Sequence, residues 1–216
     1  MILYTLYQGS FRDLKMIADQ DKKVHEKFYV NLTNKCPCSC TFCLRQTKKM
    51  LEEHTLWLKR DVSFDEFKNE LDGYDISNVP EIIFCGFGEP TESLDTLLQC
   101  ASYIKSRNSS ITIRLNTNGL GNLIHDKDVT PLLKDKIDIV SISLNAPTKE
   151  EYLELTRNKF GIDSFDAMLD FAKKAKEYVP NVILSVVDVI GEDKIKQCQE
   201  ITNSLGVTLR VREYEE

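Results

Sequence analysis

Six short stretches of the chain are dense in β-branched and aromatic residues, and longer stretches with apolar residues every three to four positions separate them. The short ones are Phe28–Thr33, Glu81–Cys85 behind Pro80, Ile111–Leu115, Ile137–Leu144, Val182–Val187 and Val207–Val211. Several are almost continuously apolar, as strands covered on both faces are. Between them the helical period dominates. Ser63-Phe-Asp-Glu66 is a capping box that opens a helix, and Gly73 is placed to close it. From Glu92 to Arg107 the apolar residues fall at 94, 97, 98, 101 and 104. Thr148-Lys-Glu-Glu151 is a second capping box, Phe165 to Tyr178 is a helix stopped by Pro180, and Gly191 to Leu205 is the last helix, ended by Gly206.

Strands that alternate with helices lie parallel and are joined by right-handed crossovers. Six of them predict an α/β fold, an open partial (β/α)6 TIM-like barrel, with a doubly wound open sheet as the alternative that the pattern leaves open. No repeat or linker divides the 216 residues, so one domain is expected over 1–216, with 1–27 as an N-terminal extension and 28–213 as the barrel core. Met1–Tyr7 is expected to add a strand at an edge, and the charged stretch Asp19–Lys27 to form an exposed loop.

Composition narrows the function. A net charge of −6 gives no general attraction to phosphate backbones, so nucleic acid is a poor partner. No run of eighteen apolar residues is present, and the start lacks the features of a signal peptide, so the cytoplasm is expected and a membrane is not. There are seven cysteines, an odd number, and four of them stand at 36, 38, 40 and 43. Without an export signal, clustered thiols read as metal ligands or redox groups rather than as a disulfide framework. Cys85, Cys100 and Cys198 sit in or beside apolar stretches and read as small buried hydrophobes.

Cys36-Pro-Cys-Ser-Cys-Thr-Phe-Cys43 contains CxxxCxxC and begins just past the first buried strand, at the end where barrels of this kind carry their chemistry. Cys36, Cys40 and Cys43 can hold three corners of a 4Fe–4S cubane and leave the fourth iron open. A structural zinc site on all four cysteines is the competing reading, although zinc ligands usually come as separated pairs. Cys38 reads as a bystander thiol. Past the second strand, Cys85-Gly-Phe-Gly-Glu-Pro90 offers two glycines for close approach of the backbone to a ligand, and upstream carbonyls free to accept from an amino group. Arg114-Leu-Asn-Thr-Asn-Gly119, Ser141-Ile-Ser-Leu-Asn145 and Ser185-Val-Val-Asp-Val189 end the next three strands. Singly each is ordinary turn chemistry; together with the cysteines they describe a pocket rim. Arg114 and Arg157 read either as anion contacts or, more simply, as partners of surface acids.

As a set these residues resemble the radical SAM superfamily. CxxxCxxC with Phe42 before the last cysteine is similar to its signature, and Gly86-Phe-Gly-Glu-Pro90 to its GGEP motif, with Phe87 replacing one glycine. The resemblance implies a 4Fe–4S cluster on Cys36, Cys40 and Cys43. It also implies S-adenosylmethionine held by Gly86, Phe87, Gly88 and Glu89 at its amino group, by Ser143 and Asn145 at its ribose or carboxylate, and by Phe42 and the backbone around Asp188 at its adenine. Asn116 counts among the same cofactor-binding residues. The activity implied is reductive cleavage of S-adenosylmethionine to a 5′-deoxyadenosyl radical that takes hydrogen from a substrate, with a reductant such as flavodoxin or ferredoxin and an oxygen-sensitive cluster. Asn31-Leu-Thr-Asn-Lys-Cys36, Phe42-Cys-Leu-Arg-Gln46 and Asn116-Thr-Asn-Gly-Leu120 further resemble the TatD-family-associated radical SAM proteins, which implies a functional link to a TatD-like hydrolase. Two alternatives within the superfamily are a 7-carboxy-7-deazaguanine synthase, on a faint Tyr7-Gln-Gly-Ser10 similarity, and a glycyl-radical-activating enzyme. Outside it stand an iron–sulfur carrier or sensor without S-adenosylmethionine chemistry and a zinc-stabilised binding module.

Overall fold

Each of the six strand signals becomes a strand. The structure, a computed structural model, describes residues 1–7, 10–17, 27–47 and 55–213. Gln8, Gly9 and the charged stretch from Asp19 to Glu26 lie outside the described residues. In chain order the elements are strands β1 (Leu3–Tyr7) and β2 (Ser10–Asp13), helix α1 (Leu14–Ile17), β3 (Phe28–Val30), α2 (Leu44–Thr47), α3 (Phe64–Leu71) and β4 (Glu81–Phe84). A 3-10 helix over Pro90–Ser93 leads into α4 (Leu94–Arg107), then β5 (Thr112–Thr117), α5 (Gly121–His125) and a second 3-10 turn, Thr130–Leu133. The chain continues with β6 (Ile139–Ser143), α6 (Lys149–Thr156), α7 (Ser164–Ala175), β7 (Asn181–Val187), a third 3-10 turn at Asp188–Ile190, α8 (Glu192–Leu205) and β8 (Thr208–Arg212). Strand and helix alternate from β3 onward, which is the α/β class with mostly parallel strands that the sequence predicts.

Two compact units account for the chain: Met1–Lys35 with Met50–Leu115 and Lys136–Asp138, and Cys36–Lys49 with Asn116–Asp135 and Ile139–Glu216. In the first, β3, β4 and β5 are parallel, with Val30 beside Phe84 and Phe84 beside Leu115. Their inward residues, among them Phe28, Val30, Ile82, Phe84 and Ile113, are buried together with Phe67 and Leu71 of α3 and Leu97 and Ile104 of α4. The α3 capping box forms as read, with Ser63 accepting from the Glu66 amide. The N-terminal strand corrects its expectation. β1 is antiparallel to β3 on one side and to β2 on the other, so it is an internal strand. Residues 10–13 fold back as a hairpin and take the outer edge, and Tyr4 is packed between the rings of Phe11 and Tyr29.

In the second unit β6, β7 and β8 are parallel, with Ser143 beside Ser185. α7 buries Phe165, Met168, Phe171, Ala172 and Ala175, the stripe predicted from its period. Gly206 closes α8 in the left-handed conformation. The second capping box forms only by half. Thr148 accepts from the Glu151 amide, but the Glu151 carboxylate pairs with Lys194 of α8 at 3.1 Å. An ion pair with a cation on another helix outcompetes the return bond of the box. No helix among the described residues is long and apolar enough to cross a membrane.

Candidate functional site

The cysteine segment belongs to the second unit, where backbone hydrogen bonds to the end of α6 hold it. A helix leaves its last carbonyls without intrahelical donors. Here the Leu155 and Thr156 carbonyls accept from the amides of Thr41 and Ser39, at 3.0 and 2.9 Å, and the Lys159 amide donates to Pro37 O at 3.0 Å. Residues 37, 39 and 41 thus turn their backbones toward α6. The Cys38 thiol lies within hydrogen-bonding reach of Cys36 and Cys40. A turn then brings Cys43 round, its amide donating to Cys40 O at 3.2 Å, and α2 starts at the next residue. All four cysteines are half-buried, and none of them forms a disulfide among the described residues. Phe42, also half-buried, lies in that turn.

Cys38, read from the sequence as a bystander thiol, stands between Cys36 and Cys40 on this segment. It is hydrogen-bonded to both Cys36 and Cys40, and these bonds together with burial push its ionisation well up. The same bond from Cys38 holds the Cys40 thiol below its ordinary range, against the opposing effect of burial. Burial raises Cys43. The Asn118 amide contacts Cys38 Sγ at 3.6 Å, while its own Oδ1 accepts from the Leu120 amide at 2.9 Å. Among the described residues no three His, Cys, Asp or Glu side chains converge as ligands of one ion. A cubane does not require such convergence, because each thiolate binds its own iron.

The turn Gly86–Glu89 belongs to the first unit, and its glycines make room for neighbouring protein atoms. The space they leave is taken by protein. A β-carbon on Gly86, whose φ is +151°, would stand 2.3 Å from Asn31 Oδ1, and one on Gly88 would stand 2.2 Å from Thr33 O and 2.8 Å from Lys35 O. The Glu89 amide donates to Lys35 O at 2.8 Å. Glu89 itself is buried and caps the 3-10 helix, its Oε1 accepting from the Thr91 amide and hydroxyl. Phe87 packs edge-on against Trp57 at 5.2 Å. Residues 31–35, which lead into Cys36, are fastened in turn to residues 56–61. Asn31 donates to Leu56 O, Asn34 exchanges two hydrogen bonds with the backbone of Leu58, and Thr33 and Lys35 both bond Asp61. The sequence reading assigned residues 56–61 no role. The signal was the polar alternation Asn31, Thr33, Lys35 just past a buried strand.

The remaining candidates belong to the second unit. Ser143 ends β6. Asn145 follows in the left-handed conformation at φ +62°, buried, with its amide on Ser185 O at 3.3 Å. Asn116 lies in the last two residues of β5, and Asp188 opens the 3-10 turn after β7. Asn116 Oδ1 and Asn145 Oδ1 are both buried acceptors with no hydrogen-bond partner among the described residues. Such atoms are costly unless something donates to them, and the hydroxyl and amino groups of S-adenosylmethionine are donors. Within the second unit, the thiols fit a cluster and the two orphaned carbonyls fit donors of this cofactor.

Other candidates resolve to structure. Arg114 forms a buried ion pair with Glu81 at 2.6 Å. Arg157 is the exposed left-handed cap of α6. Burial pushes Cys85 and Cys198 up to about 11, which keeps both thiols protonated and inert. A shallow groove of about 500 Å³ beside Phe64, Leu98, Ser102 and Tyr103 contains none of the motif residues.

The sequence model of the radical SAM superfamily matches residues 30–203. A probable GTP 3′,8-cyclase of Thermococcus kodakarensis is 24% identical over 202 residues, 93% of this chain and 60% of that protein. The GTP 3′,8-cyclase of Corynebacterium glutamicum strain R is 26% identical over 203 residues, 91% of this chain and 51% of its own. The chain thus spans between half and two thirds of the length of these relatives. Among solved structures, Streptococcus suis SuiB bound to its precursor peptide SuiA superposes with a TM-score of 0.65 at 18% identity, over 87% of this chain and 39% of that one. That likeness extends to the fold, a partial TIM-like barrel.

Proposed function

The chain belongs to the radical SAM superfamily, and from that premise we propose that Cys36, Cys40 and Cys43 each ligate one iron of a 4Fe–4S cluster, with the fourth iron left for S-adenosylmethionine. These two are the cofactors of the family, and the chain is an enzyme of this kind. Bound there, they supply reductive cleavage of the sulfonium to a 5′-deoxyadenosyl radical that abstracts hydrogen from a substrate. The observation that supports the residue assignment is the triple backbone attachment of residues 37, 39 and 41 to the end of α6 and the residues after it, which fixes the backbone on which the cysteines stand.

The protein's own groups then divide the work. Backbone carbonyls of the Gly86–Glu89 turn accept from the methionine amino group, and the capped, buried Glu89 keeps that turn fixed. Asn116 and Asn145 supply their unfilled carbonyls to hydroxyl or amino donors of the cofactor, with Ser143 beside Asn145. Phe42 and the backbone at Asp188 flank the adenine. We place the protein among the TatD-family-associated radical SAM proteins on the motif runs that begin at Asn31, Phe42 and Asn116. With that go a flavodoxin- or ferredoxin-type reductant, an oxygen-sensitive cluster, a cytoplasmic setting that suits cysteines outside disulfides, and a functional link to a TatD-like hydrolase.

The decisive experiment is purification and cluster reconstitution without oxygen, then addition of dithionite and S-adenosylmethionine and detection of 5′-deoxyadenosine by mass spectrometry. The wild type yields it, and Cys40→Ala does not. Zinc in place of iron and sulfide would sink the assignment.

A further inference from the structure

Thr156, Asn158 and Ser164 are buried polar residues of the second unit to which the cofactor reading gives no part. They form one network. The Asn158 carboxamide donates to Thr156 Oγ1 at 3.0 Å and to Ser164 Oγ at 2.8 Å, and its Oδ1 accepts from the Phe160 amide at 3.0 Å. Each hydroxyl donates onward to a backbone carbonyl, Thr156 to Tyr152 O at 2.7 Å and Ser164 to Gly161 O at 2.6 Å. The network thus ties the last residue of α6, the connection after it and the first residue of α7. It also encloses the peptide groups that hold the cysteine segment. Thr156 O accepts from the Ser39 amide, the Lys159 amide donates to Pro37 O, and Asn158 stands in the chain between these two attachment points. The residue before it, Arg157, is left-handed at φ +45°. That conformation is costly for an L residue, so the connection does not keep this shape by local preference.

We infer that Asn158, with Thr156 and Ser164, is a positioning residue for the cysteine segment. It holds the α6–α7 connection in the conformation that offers the Thr156 carbonyl and the Lys159 amide to residues 39 and 37, and through them it sets how firmly the cluster is kept. The inference rests on the proposal that Cys36, Cys40 and Cys43 are ligands. A buried polar network with its donors and acceptors paired is stiff, and removing one member leaves the others unsatisfied in a dry site. Without the Asn158 side chain, Thr156 Oγ1 loses a donor and the Phe160 amide loses its acceptor. The connection then relaxes from its left-handed turn, and the two attachment points move apart from the segment they hold. Groups that orient metal ligands from behind govern metal retention nearly as strongly as the ligands do.

The test has two readouts. One is amide hydrogen exchange of the metal-free protein, followed by nuclear magnetic resonance. The other is the rate at which the reconstituted, dithionite-reduced protein gives up iron to a ferrous chelator. The proteins compared are the wild type, Asn158→Ala, Thr156→Val and Thr156→Ser. In Asn158→Ala the Ser39 and Thr41 amides are expected to lose protection while the α8 amides keep theirs, and iron to leave at least about tenfold faster. Thr156→Val keeps the shape but loses the hydroxyl, and should move both readouts the same way by less. Thr156→Ser keeps the hydroxyl and should return both toward the wild type. If Asn158→Ala does not fold, the two Thr156 variants decide by the same criteria. Equal loss of protection at residues 39 and 41 and across α8 in a folded variant would make the network a general support of the fold and sink the inference. Faster exchange at residues 39 and 41 with iron released at the wild-type rate would sink it too, as would no change in either readout. A wild type that takes up no iron would overturn the cluster reading itself, and this inference with it, before any substitution is compared.

Discussion

Gly88 and Thr33 meet backbone to backbone: a β-carbon on the glycine would stand 2.2 Å from the threonine carbonyl oxygen. Because the obstacle is main chain, no rotamer change can relieve it. Gly88→Ala should therefore destabilise the protein by about 3 kcal/mol, the upper part of the range for overpacking, read as a lower urea midpoint at unchanged slope. Gly86→Ala meets a side chain, Asn31. Adding Asn31→Ala should recover part of its loss, with the strain of a positive φ remaining. No side-chain truncation should recover Gly88→Ala.

Glu81 and Arg114 form a buried pair at 2.6 Å. Arg114→Met leaves the Glu81 carboxylate to the exposed Lys27, its remaining cationic partner among the described residues, and should cost about 1.5–3 kcal/mol, less than an uncompensated buried charge. Burial alone would raise the Glu81 carboxyl, but the hydrogen bonds from Lys27 and Arg114 outweigh it and hold it below its ordinary value of 4.5. A depressed folded-state value contributes stability that is fully present above 4.5 and is lost as pH falls toward and through the lower folded value. Thermal melts from pH 6 down to pH 3 should show a shallower acid loss in Arg114→Met than in the wild type. Equal slopes would contradict this account of the pair.

Asn34 imitates a strand neighbour for Leu58, donating to its carbonyl at 2.7 Å and accepting from its amide at 3.0 Å. Asn34→Ala removes both bonds and should cost about 1–3 kcal/mol. Hydrogen exchange should locate the effect. The Leu58 amide loses protection first, ahead of the α4 amides, if the clamp acts locally.

Asn145 combines a left-handed backbone with a buried carbonyl that has no hydrogen-bond partner among the described residues. Asn145→Gly relieves both costs, so its melting temperature should equal or exceed that of the wild type. Calorimetric titration with S-adenosylmethionine should show binding at least about tenfold weaker, the equivalent of one hydrogen bond of roughly 1.4 kcal/mol. A variant that is more stable and binds equally well would remove Asn145 from the cofactor site.

Local patterns were legible in the sequence where local forces decide. The β-branched runs at 28–30 and 182–187 are strands, and Ser63 and Gly206 cap helices where they were read to. Outcomes that depend on distant residues were not. Glu151 should have returned to its own helix N-terminus and instead meets Lys194. Nothing local to Gly86 and Gly88 discloses that Asn31 and Thr33 fill the space their missing side chains leave. The contact of Cys38 with the Asn118 amide was not legible either, because the two residues are 80 positions apart. β1 was placed at an edge because the hairpin return at residues 10–13 is too short and mixed in character to read as a strand.

The paired bonds between Asn34 and Leu58 close a circuit of 24 positions that contains every cysteine of the signature. Protein groups alone make that closure, so the entropy cost of tying the circuit falls on the folding of the metal-free chain and not on metal capture. Zinc fingers work the other way, with the ion gathering an otherwise unfolded chain. Here the bonds between Asn34 and Leu58 do part of that gathering, so less loop entropy remains to be lost when the cysteines take up a metal.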